Sequence, residues 1–372
     1  MSSACRNLVI LGSTGSVGGQ TLDVVRAYPE RFQVYGMAAG SNQELLLQQI
    51  EEFRPKLVAF SVELEGHELV SMEEMAAHPD VDIVVVATVG SIGIAATMAA
   101  LSAGKTVAMA NKEIVVIAGG LLVEAARRYE ARILPIDNAL NSIWQCIRGE
   151  EENISDLILT TTGGAQLGRQ KAEMLDLTWQ QLDGDFARGV GRKLRIDSAT
   201  MMREGMQIIE AHSLFRVPYE NIHLVSHPEG VVPSLVQFID GSVKATLVPL
   251  SLSSSIQYCL SDPSRWPSDE SHSLDMAKLG GLTFGRLDSE QYPCLKLALE
   301  WGRKGHTYPA VLNGANETAT HLFVHQKIGF QDIPRVIQSV LERHRPVNNP
   351  TLDDLIDADK WAKDIASQQV PA

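Results

Sequence analysis

The fold class follows from one stretch near the start of the chain, Asn7-Leu-Val-Ile-Leu-Gly-Ser-Thr-Gly-Ser-Val-Gly18. It begins with an apolar run that is typical of a buried parallel strand, and a glycine loop follows at once. The amphipathic run over residues 18–28 then predicts a helix. In this order, the glycines leave room for a pyrophosphate and the helix N-terminus attracts its negative charge. We therefore predict that the loop binds a dinucleotide cofactor. The residues predicted to contact it are Gly12, Thr14, Gly15, Ser16 and Val17.

Strand-like and helical stretches alternate outward from this loop to about residue 149. Helical patterns over residues 43–53 and 92–103 separate short apolar runs. Alternation of this kind predicts an α/β fold, with an N-terminal Rossmann-type doubly wound parallel sheet over residues 1–149. The strands predicted after the first one cover residues 33–38, 56–60, 83–87, 106–109 and 133–135.

The choice of cofactor depends on the end of the second predicted strand. An NAD site would place an Asp or Glu there to hold the ribose 2′-hydroxyl, and this strand ends at Ala38 without one. The missing carboxylate favours NADP. Side chains in the next turn can donate to a 2′-phosphate, although a site that also accepts NAD stays open. The residues predicted around that phosphate are Gly40, Ser41 and Asn42.

The carboxyl ends of the parallel strands should form the cofactor crevice. Asn111, Lys112 and Glu113 follow such a strand, and we predict that Asn111 and Glu113 contact the cofactor. An ammonium group beside a nicotinamide can protonate or polarise a carbonyl that receives hydride, so Lys112 is a candidate catalytic residue. The alternative, that Lys112 only hydrogen-bonds the cofactor ribose and Asp137, stays open.

The pattern changes from about residue 150. Residues 157–164 form a predicted strand that runs into a glycine turn, and residues 236–247 form a predicted hairpin around Asp240-Gly241. The segment that follows is mostly helical in pattern. We therefore predict an α+β central domain over residues 150–290 and a C-terminal helical domain over residues 291–372.

Two polar residues, Asp137 and Ser198, each open a run that is typical of a helix. The start of a helix presents backbone N–H groups and the positive end of the helix dipole, which both favour anions. We therefore expect a small anionic substrate to bind near these two residues.

Five ordered blocks along the chain carry a resemblance to a known family. The blocks are Gly12-Ser-Thr-Gly-Ser-Val-Gly18, Ala110-Asn-Lys-Glu113, Thr162-Gly-Gly164, Arg195-Ile-Asp-Ser-Ala-Thr-Met-Met202 with Gly205, and Pro309-Ala-Val-Leu-Asn-Gly-Ala-Asn-Glu317. They resemble the 1-deoxy-D-xylulose 5-phosphate reductoisomerases in order and over nearly the whole chain. The resemblance implies this family's fold, with Gly205 near an NADP cofactor and a substrate site in the central domain. It also implies a homodimer, which the apolar edge of the 236–247 hairpin favours.

The family has three metal-binding carboxylates, and two of them are replaced in this chain. The family's Asp-Ser-Glu corresponds to Asp137-Asn138-Ala139, and the final Glu of its Asn-Lys-Gly-Leu-Glu corresponds to Gln207. A hard divalent cation needs oxygen ligands that carry negative charge, which alanine and glutamine do not supply. We therefore predict no metal site, with Asp137 kept as a candidate catalytic residue.

The phosphate pocket that the resemblance implies is altered as well. Glu204 replaces a lysine that contacts the substrate phosphate, so attraction becomes repulsion. Arg203 replaces an asparagine and would restore one positive charge. The family's mobile flap aligns with Asp185-Phe-Ala-Arg188 and lacks its tryptophan here. The residues predicted to bind substrate are Asn138, Thr162, Ser198, Arg203 and Gln207.

Composition limits the classes of partner. The chain has 372 residues, 45% hydrophobic and 21% charged, as expected for a soluble protein of two or three domains. Its formal net charge of −13 argues against nucleic acid as a partner, because phosphate neutralisation requires clustered Lys and Arg. No apolar run approaches the roughly 20 residues of a membrane span, and no signal-peptide pattern precedes the first strand. We expect a cytoplasmic protein whose four scattered cysteines are reduced.

These patterns support three hypotheses about function. The first is a metal-independent, NADP-dependent oxidoreductase for a small polar, anionic carbonyl or alcohol, because reduction should survive loss of the cation better than isomerisation. The second is a non-catalytic paralogue that binds a dinucleotide or only a partner subunit. The third is retained reductoisomerase activity, with a displaced metal on Asp137, Glu204 and Glu210. The sequence favours the first and predicts that reductoisomerase activity is lost.

Overall fold

The computed structural model describes residues 5–163, 177–184, 191–249, 251–267, 274–287 and 289–369. The chain folds into two compact units. The first unit contains Met1–Ile114, Gly120–Arg148 and Thr246–Lys278, and the second contains Val115–Gly119, Gly149–Ala245 and Leu279–Ala372. The three predicted domains therefore differ from the structure at two points. Residues 246–278 return to the first unit, and the C-terminal helices share one unit with the central sheet.

The first unit is built on a six-stranded parallel sheet with the order β3-β2-β1-β4-β5-β6. This order, which reverses next to β1, is that of a doubly wound nucleotide-binding fold and confirms the predicted Rossmann-type sheet. All six predicted strands are present. They are β1 (Arg6–Leu11), β2 (Phe32–Ala38), β3 (Leu57–Ala59), β4 (Ile83–Val86), β5 (Thr106–Met109) and β6 (Arg132–Pro135).

Helices cover this sheet, which is why its central strands are apolar throughout: the four residues of β4 are all buried. The helices are α1 (Ser16–Ala27), α2 (Gln43–Phe53), α3 (Met72–Ala77), α4 (Ile94–Ser102), α5 (Lys112–Arg128), α6 (Asn138–Ile147), α10 (Ser253–Ser261) and α11 (Met276–Leu279). Helix α10 explains the return of residues 246–278 to this unit. Its Ile256, Cys259 and Leu260 are buried in the same hydrophobic cluster as Leu8 and Ile10 of β1.

The second unit contains a five-stranded mixed sheet with the order β10-β9-β7-β8-β11. Strand β7 pairs with β8 in parallel and with β9 antiparallel. The predicted hairpin is confirmed, with Gly241 of its turn at φ +81°. The strands are β7 (Ile154–Thr161), β8 (Ile222–Ser226), β9 (Ser234–Phe238), β10 (Val243–Ala245) and β11 (Gly285–Arg286).

The helices of the second unit include the predicted C-terminal helical region. They are α7 (Trp179–Gly184), α8 (Arg192–Ala199), α9 (Met202–Phe215), α12 (Pro293–Lys304), α13 (Tyr308–Val324), α14 (Asp332–Arg343) and α15 (Leu352–Ser367). Helices α9 and α12 pack closely, because a Cβ added at Gly205 would lie 2.4 Å from Cβ of Ala298. This packing accounts for a glycine at position 205, and the cofactor contact of Gly205 stays a prediction. No helix in the described ranges is both long enough and apolar enough to cross a membrane.

Candidate active site

The glycine loop between β1 and α1 has the geometry that its sequence predicts. Gly12 has φ +95°, and a Cβ added there would lie 2.4 Å from the carbonyl oxygen of Ala87. A Cβ at Gly18 would lie 2.2 Å from the carbonyl oxygen of Gly12. Gly15 caps α1 without any side-chain hydrogen bond, so the first N–H groups of the helix are not capped by a side chain. A tight, uncapped helix start of this kind is suited to a pyrophosphate.

The predicted 2′-phosphate residues lie after β2. Ser41 and Asn42 are exposed at the start of α2. The Asn42 side chain caps this helix, since its Oδ1 accepts a hydrogen bond from Leu45 N over 3.1 Å. Its amide nitrogen is the group that could donate to a phosphate.

Asn111 fixes the neighbouring loop rather than facing outward. It is 2% exposed, and its Nδ2 donates to the carbonyl oxygens of Thr88 and Gly90 over 2.8 and 3.0 Å. Its Oδ1 accepts from Ile114 N and so caps α5. The amide group of Asn111 is therefore occupied by the loop after β4 and by the start of α5.

Two apolar residues in that loop were missed by the sequence prediction. Val89 is 77% exposed and Ile92 is 68% exposed, at the carboxyl end of β4. Exposed aliphatic side chains at such a strand end offer a surface on which a planar ring can pack. The available signal was two apolar residues inside a glycine-containing loop that follows a buried strand.

Lys112 and Asp137 form a partly buried ion pair in the first unit. The Lys112 Nζ lies 3.8 Å from Oδ2 of Asp137, with the two side chains 18% and 25% exposed. Asp137 also opens α6 as predicted, because its Oδ1 accepts from Ala139 N and Leu140 N over 3.0 and 3.4 Å. The carboxylate is thus fixed by the helix start and holds an ammonium group beside it, an arrangement suited to proton transfer.

The two residues that follow Asp137 in the chain, Asn138 and Ala139, carry no charged oxygen. Asn138 accepts a hydrogen bond from Ser255 Oγ through its Oδ1 over 2.8 Å. Ala139 is 5% exposed and has only a methyl group to present. Of these three residues Asp137 alone carries a carboxylate, and its Oδ1 accepts the two hydrogen bonds that cap α6.

The prediction that Ser198 opens a helix is wrong. Ser198 lies in the last turn of α8. The helical conformation is interrupted at Met201, which has φ +60° and precedes α9. The Thr200 hydroxyl donates to the Ile196 carbonyl over 2.9 Å and so satisfies the end of α8. Because a left-handed residue other than glycine is uncommon, no local pattern indicated this interruption between the two helices. Ser198 can present only its side chain, because its backbone N–H lies within a helix.

A buried carboxylate supports the turn at the end of β7. Glu204 is 4% exposed, and its Oε1 accepts a hydrogen bond from Thr161 Oγ1 over 2.9 Å. Thr161 Oγ1 in turn accepts from Gly163 N over 3.0 Å. Thr162, a predicted substrate residue, is exposed between them. The acidic residue at the position of the family's lysine is therefore part of the local hydrogen-bond network.

The end of α8 is held by a second polar network. Asp197 is 4% exposed and contacts Lys193 Nζ at 2.6 Å and Asn316 Nδ2 at 2.8 Å. Arg203 lies partly buried in the first turn of α9, and Gln207 is 3% exposed one turn later. Asp197 is thus fixed from two directions beside Ser198.

The described part of the chain has no cluster of three or more His, Cys, Asp or Glu side chains that could hold a metal ion. The set of Asp137, Glu204 and Glu210, suggested for a displaced metal, stays a hypothesis. The predicted flap over residues 185–188 lies outside the described residues, as does Gly164.

Comparisons with known proteins agree along the whole chain. Family models match residues 8–119 (1-deoxy-D-xylulose 5-phosphate reductoisomerase), 133–215 (its C-terminal domain) and 248–365 (DXP reductoisomerase C-terminal domain). The 1-deoxy-D-xylulose 5-phosphate reductoisomerase of Pelotomaculum thermopropionicum is 40% identical, over 97% of each chain. That of Geobacillus kaustophilus is 42% identical, over 95% of this chain and 97% of its own.

Solved structures give the same result. The reductoisomerase of Zymomonas mobilis in complex with NADPH superposes with a TM-score of 0.91 at 32% identity, covering 99% of this chain and 100% of its own. A DOX-P reductoisomerase in complex with NADPH, fosmidomycin and magnesium also has a TM-score of 0.91, at 33% identity and 98% coverage of each chain. With this agreement in sequence, domain order and fold, the chain belongs to the 1-deoxy-D-xylulose 5-phosphate reductoisomerase family.

Proposed function

We propose that the chain is an NADPH-dependent oxidoreductase that acts on a small polar, anionic carbonyl or alcohol without a resident divalent cation. The observation that carries the proposal is a contrast between two sets of residues. The glycine loop and the Lys112–Asp137 pair are kept. In contrast, Ala139 and Gln207 occupy two of the three positions at which the family has a metal-binding carboxylate.

The cofactor assignment rests on the first unit and on the relatives. The loop over residues 12–18 leaves space for a pyrophosphate, and the strand before Ser41 and Asn42 ends without a carboxylate. Structural relatives of high similarity are complexes with NADPH. When bound, this cofactor supplies the hydride.

The chain's own residues would supply the proton and the orientation. Lys112 would donate a proton to the substrate oxygen as hydride arrives at the carbon, and would take it back in the oxidative direction. Asp137, fixed at the start of α6, would hold the ammonium group in place. The residues predicted to contact the substrate are Asn138 in the first unit and Thr162, Ser198, Arg203 and Gln207 in the second. The Arg203 guanidinium favours an anion, while the buried Glu204 opposes a dianionic phosphate at its position.

The metal-independent part of the proposal predicts resistance to chelators. Oxidation of NADPH by a panel of small hydroxyketones and keto acids, 1-deoxy-D-xylulose 5-phosphate included, should proceed at the same rate with and without excess EDTA. Added Mg²⁺ or Mn²⁺ should change the rate by less than about twofold, because Ala139 and Gln207 place no negatively charged oxygen at two of the ligand positions. Loss of turnover in EDTA with recovery in Mn²⁺ would contradict this part and leave the cofactor assignment intact.

Genuine reductoisomerase activity is the second candidate, and the 40% identity to the Pelotomaculum enzyme over 97% of the chain favours it. It requires conversion of 1-deoxy-D-xylulose 5-phosphate to a rearranged and reduced product, which NMR of the product distinguishes from simple reduction at the ketone. A non-catalytic protein would instead bind NADPH with no turnover on any member of the panel.

We also propose a homodimer formed through the hairpin of β9 and β10. Strand β10 is an edge strand of the described sheet; Val243, its first residue, is 49% exposed, and Ile239, which follows β9, is 73% exposed. Unpaired backbone groups and exposed apolar side chains on an edge are a template for pairing with a second chain. Ile239→Asp with Val243→Lys should therefore shift the sedimentation coefficient from a dimer to a monomer. Val62→Lys, at an apolar residue of the first unit that is 57% exposed, is the control and should remain a dimer.

A further inference from the structure

The glycine loop is held by a side chain from helix α2. Gln49 is 5% exposed, and its Nε2 donates to the backbone carbonyl of Ser13 over 3.0 Å. Ser13 is completely buried and lies between Gly12 and Thr14, two of the proposed cofactor contacts. On its other side the loop is fixed by the N–H groups of Gly12 and Ser13, which both donate to the Ala38 carbonyl. The amide of Gln49 is thus the side-chain contact that fixes the middle of the loop.

This contact has features that a purely structural contact would avoid. Gln49 Oε1 and Ser13 Oγ are both buried, and neither has a hydrogen-bond partner among the described residues. Burying a polar atom without a partner lowers the free energy of unfolding, and an apolar side chain of similar length at position 49 would remove Gln49 Oε1. The same change would take the donor away from the Ser13 carbonyl, so the two effects on the free energy of unfolding oppose each other. Stability therefore gives glutamine no clear advantage at this position, whereas positioning of the loop requires its donor.

We propose that Gln49 is a positioning residue that fixes the glycine loop for the cofactor pyrophosphate and couples it to the start of α2. Asn42 begins this helix, and Gln49 follows seven residues later, about two turns or roughly 10 Å along the same helix. A single helix therefore carries the residues proposed for the 2′-phosphate and the amide that holds the pyrophosphate loop. The inference rests on the cofactor role proposed for this loop.

The test is the affinity of Gln49→Met for nucleotide, measured by the fluorescence of bound NADPH. Methionine keeps the length of the side chain and removes the donor. The Kd of NADPH should rise roughly tenfold, which corresponds to about 1.4 kcal/mol, without a fall in the melting temperature. With any carbonyl that the unmodified protein reduces, KM for NADPH should rise by a similar factor while kcat stays unchanged. NADH has the same pyrophosphate, so its Kd should rise by the same factor as that of NADPH.

Two further variants complete the test. Gln49→Glu replaces the donor with an acceptor facing the Ser13 carbonyl and should weaken binding more than Gln49→Met does. Gln48→Met changes the neighbouring exposed glutamine and should leave the Kd unchanged.

Three results would overturn the inference. One is an unchanged Kd in both Gln49 variants. Another is a rise in Kd together with a fall in melting temperature in Gln49→Met, since a purely structural role predicts both changes. The third is a loss of affinity for NADPH with no change in the Kd of NADH, which would assign the effect to the residues near the 2′-phosphate at the start of α2. If the unmodified protein binds neither nucleotide, the proposed cofactor function itself fails and the inference falls with it.

Discussion

Lys112→Met is expected to reduce turnover by roughly three orders of magnitude, because a positioned general acid contributes about 10²–10⁴-fold to a rate. Methionine has an unbranched side chain of comparable length, so the packing at the start of α5 should be kept. Asp137 would retain its two backbone hydrogen bonds at the start of α6. We therefore expect the variant to fold and to bind NADPH as the unmodified protein does. The measurements are kcat with the best substrate of the panel, the Kd of NADPH and the melting temperature.

The comparison of kcat with Kd separates two roles of Lys112. If the ammonium group only hydrogen-bonds the cofactor ribose, Lys112→Met should weaken NADPH binding and leave kcat almost unchanged. Lys105→Met is the control, because Lys105 is a partly buried lysine of the same unit whose Nζ donates to the Pro79 carbonyl. Turnover of this control should match that of the unmodified protein. Full turnover by Lys112→Met would remove Lys112 from the mechanism.

Gly12→Ala is expected to weaken NADPH binding at least about 100-fold, equivalent to about 2.8 kcal/mol. The added Cβ would lie 2.4 Å from the Ala87 carbonyl oxygen, and φ at this position is +95°, which a side chain rarely adopts. Both effects displace the loop at the point where it follows β1. Isothermal titration with NADPH measures the loss directly.

Helix α1, which follows the glycine loop, offers Gly19 as a matched control for Gly12. A Cβ added at Gly19 would have no heavy atom within 4 Å, and residue 19 lies inside α1. Gly19→Ala should therefore bind NADPH normally and raise the melting temperature slightly, because alanine is the better helix former. Equal affinities of the Gly12 and Gly19 variants would show that the loop geometry does not control cofactor binding.

Membership of the family and the residues of the candidate site bear on different parts of the function. Identity of about 40% over nearly the whole chain establishes the family and its fold. It does not decide which reaction is catalysed, because function depends on the residues of the site. Ala139 and Gln207 change the donor atoms themselves, so the chelator experiment has more weight than overall identity in choosing between the two candidate reactions.

Local patterns in the sequence were sufficient for the parallel sheet of the first unit. All six strands of its sheet and the glycine loop were predicted, because a buried parallel strand must be apolar along its whole length and a glycine at φ +95° has few substitutes. The hairpin around Asp240-Gly241 was also predicted, since its turn requires a residue such as Gly241 that tolerates positive φ.

The tertiary structure decided the features that depend on residues far apart in the chain. Thr161 and Glu204 are 43 residues apart, and Asn316 and Asp197 are 119 apart, so no local pattern could pair them. Met201 separates helices α8 and α9, so Ser198 lies at the end of one helix and not at the start of the next. No glycine marks this position in the sequence. The sequence alone therefore determined the strands of the parallel sheet and the glycine loop, because these depend on the identity of single residues and their near neighbours. The partners of the buried polar groups depend on packing between distant segments, and only the folded chain brings those segments together.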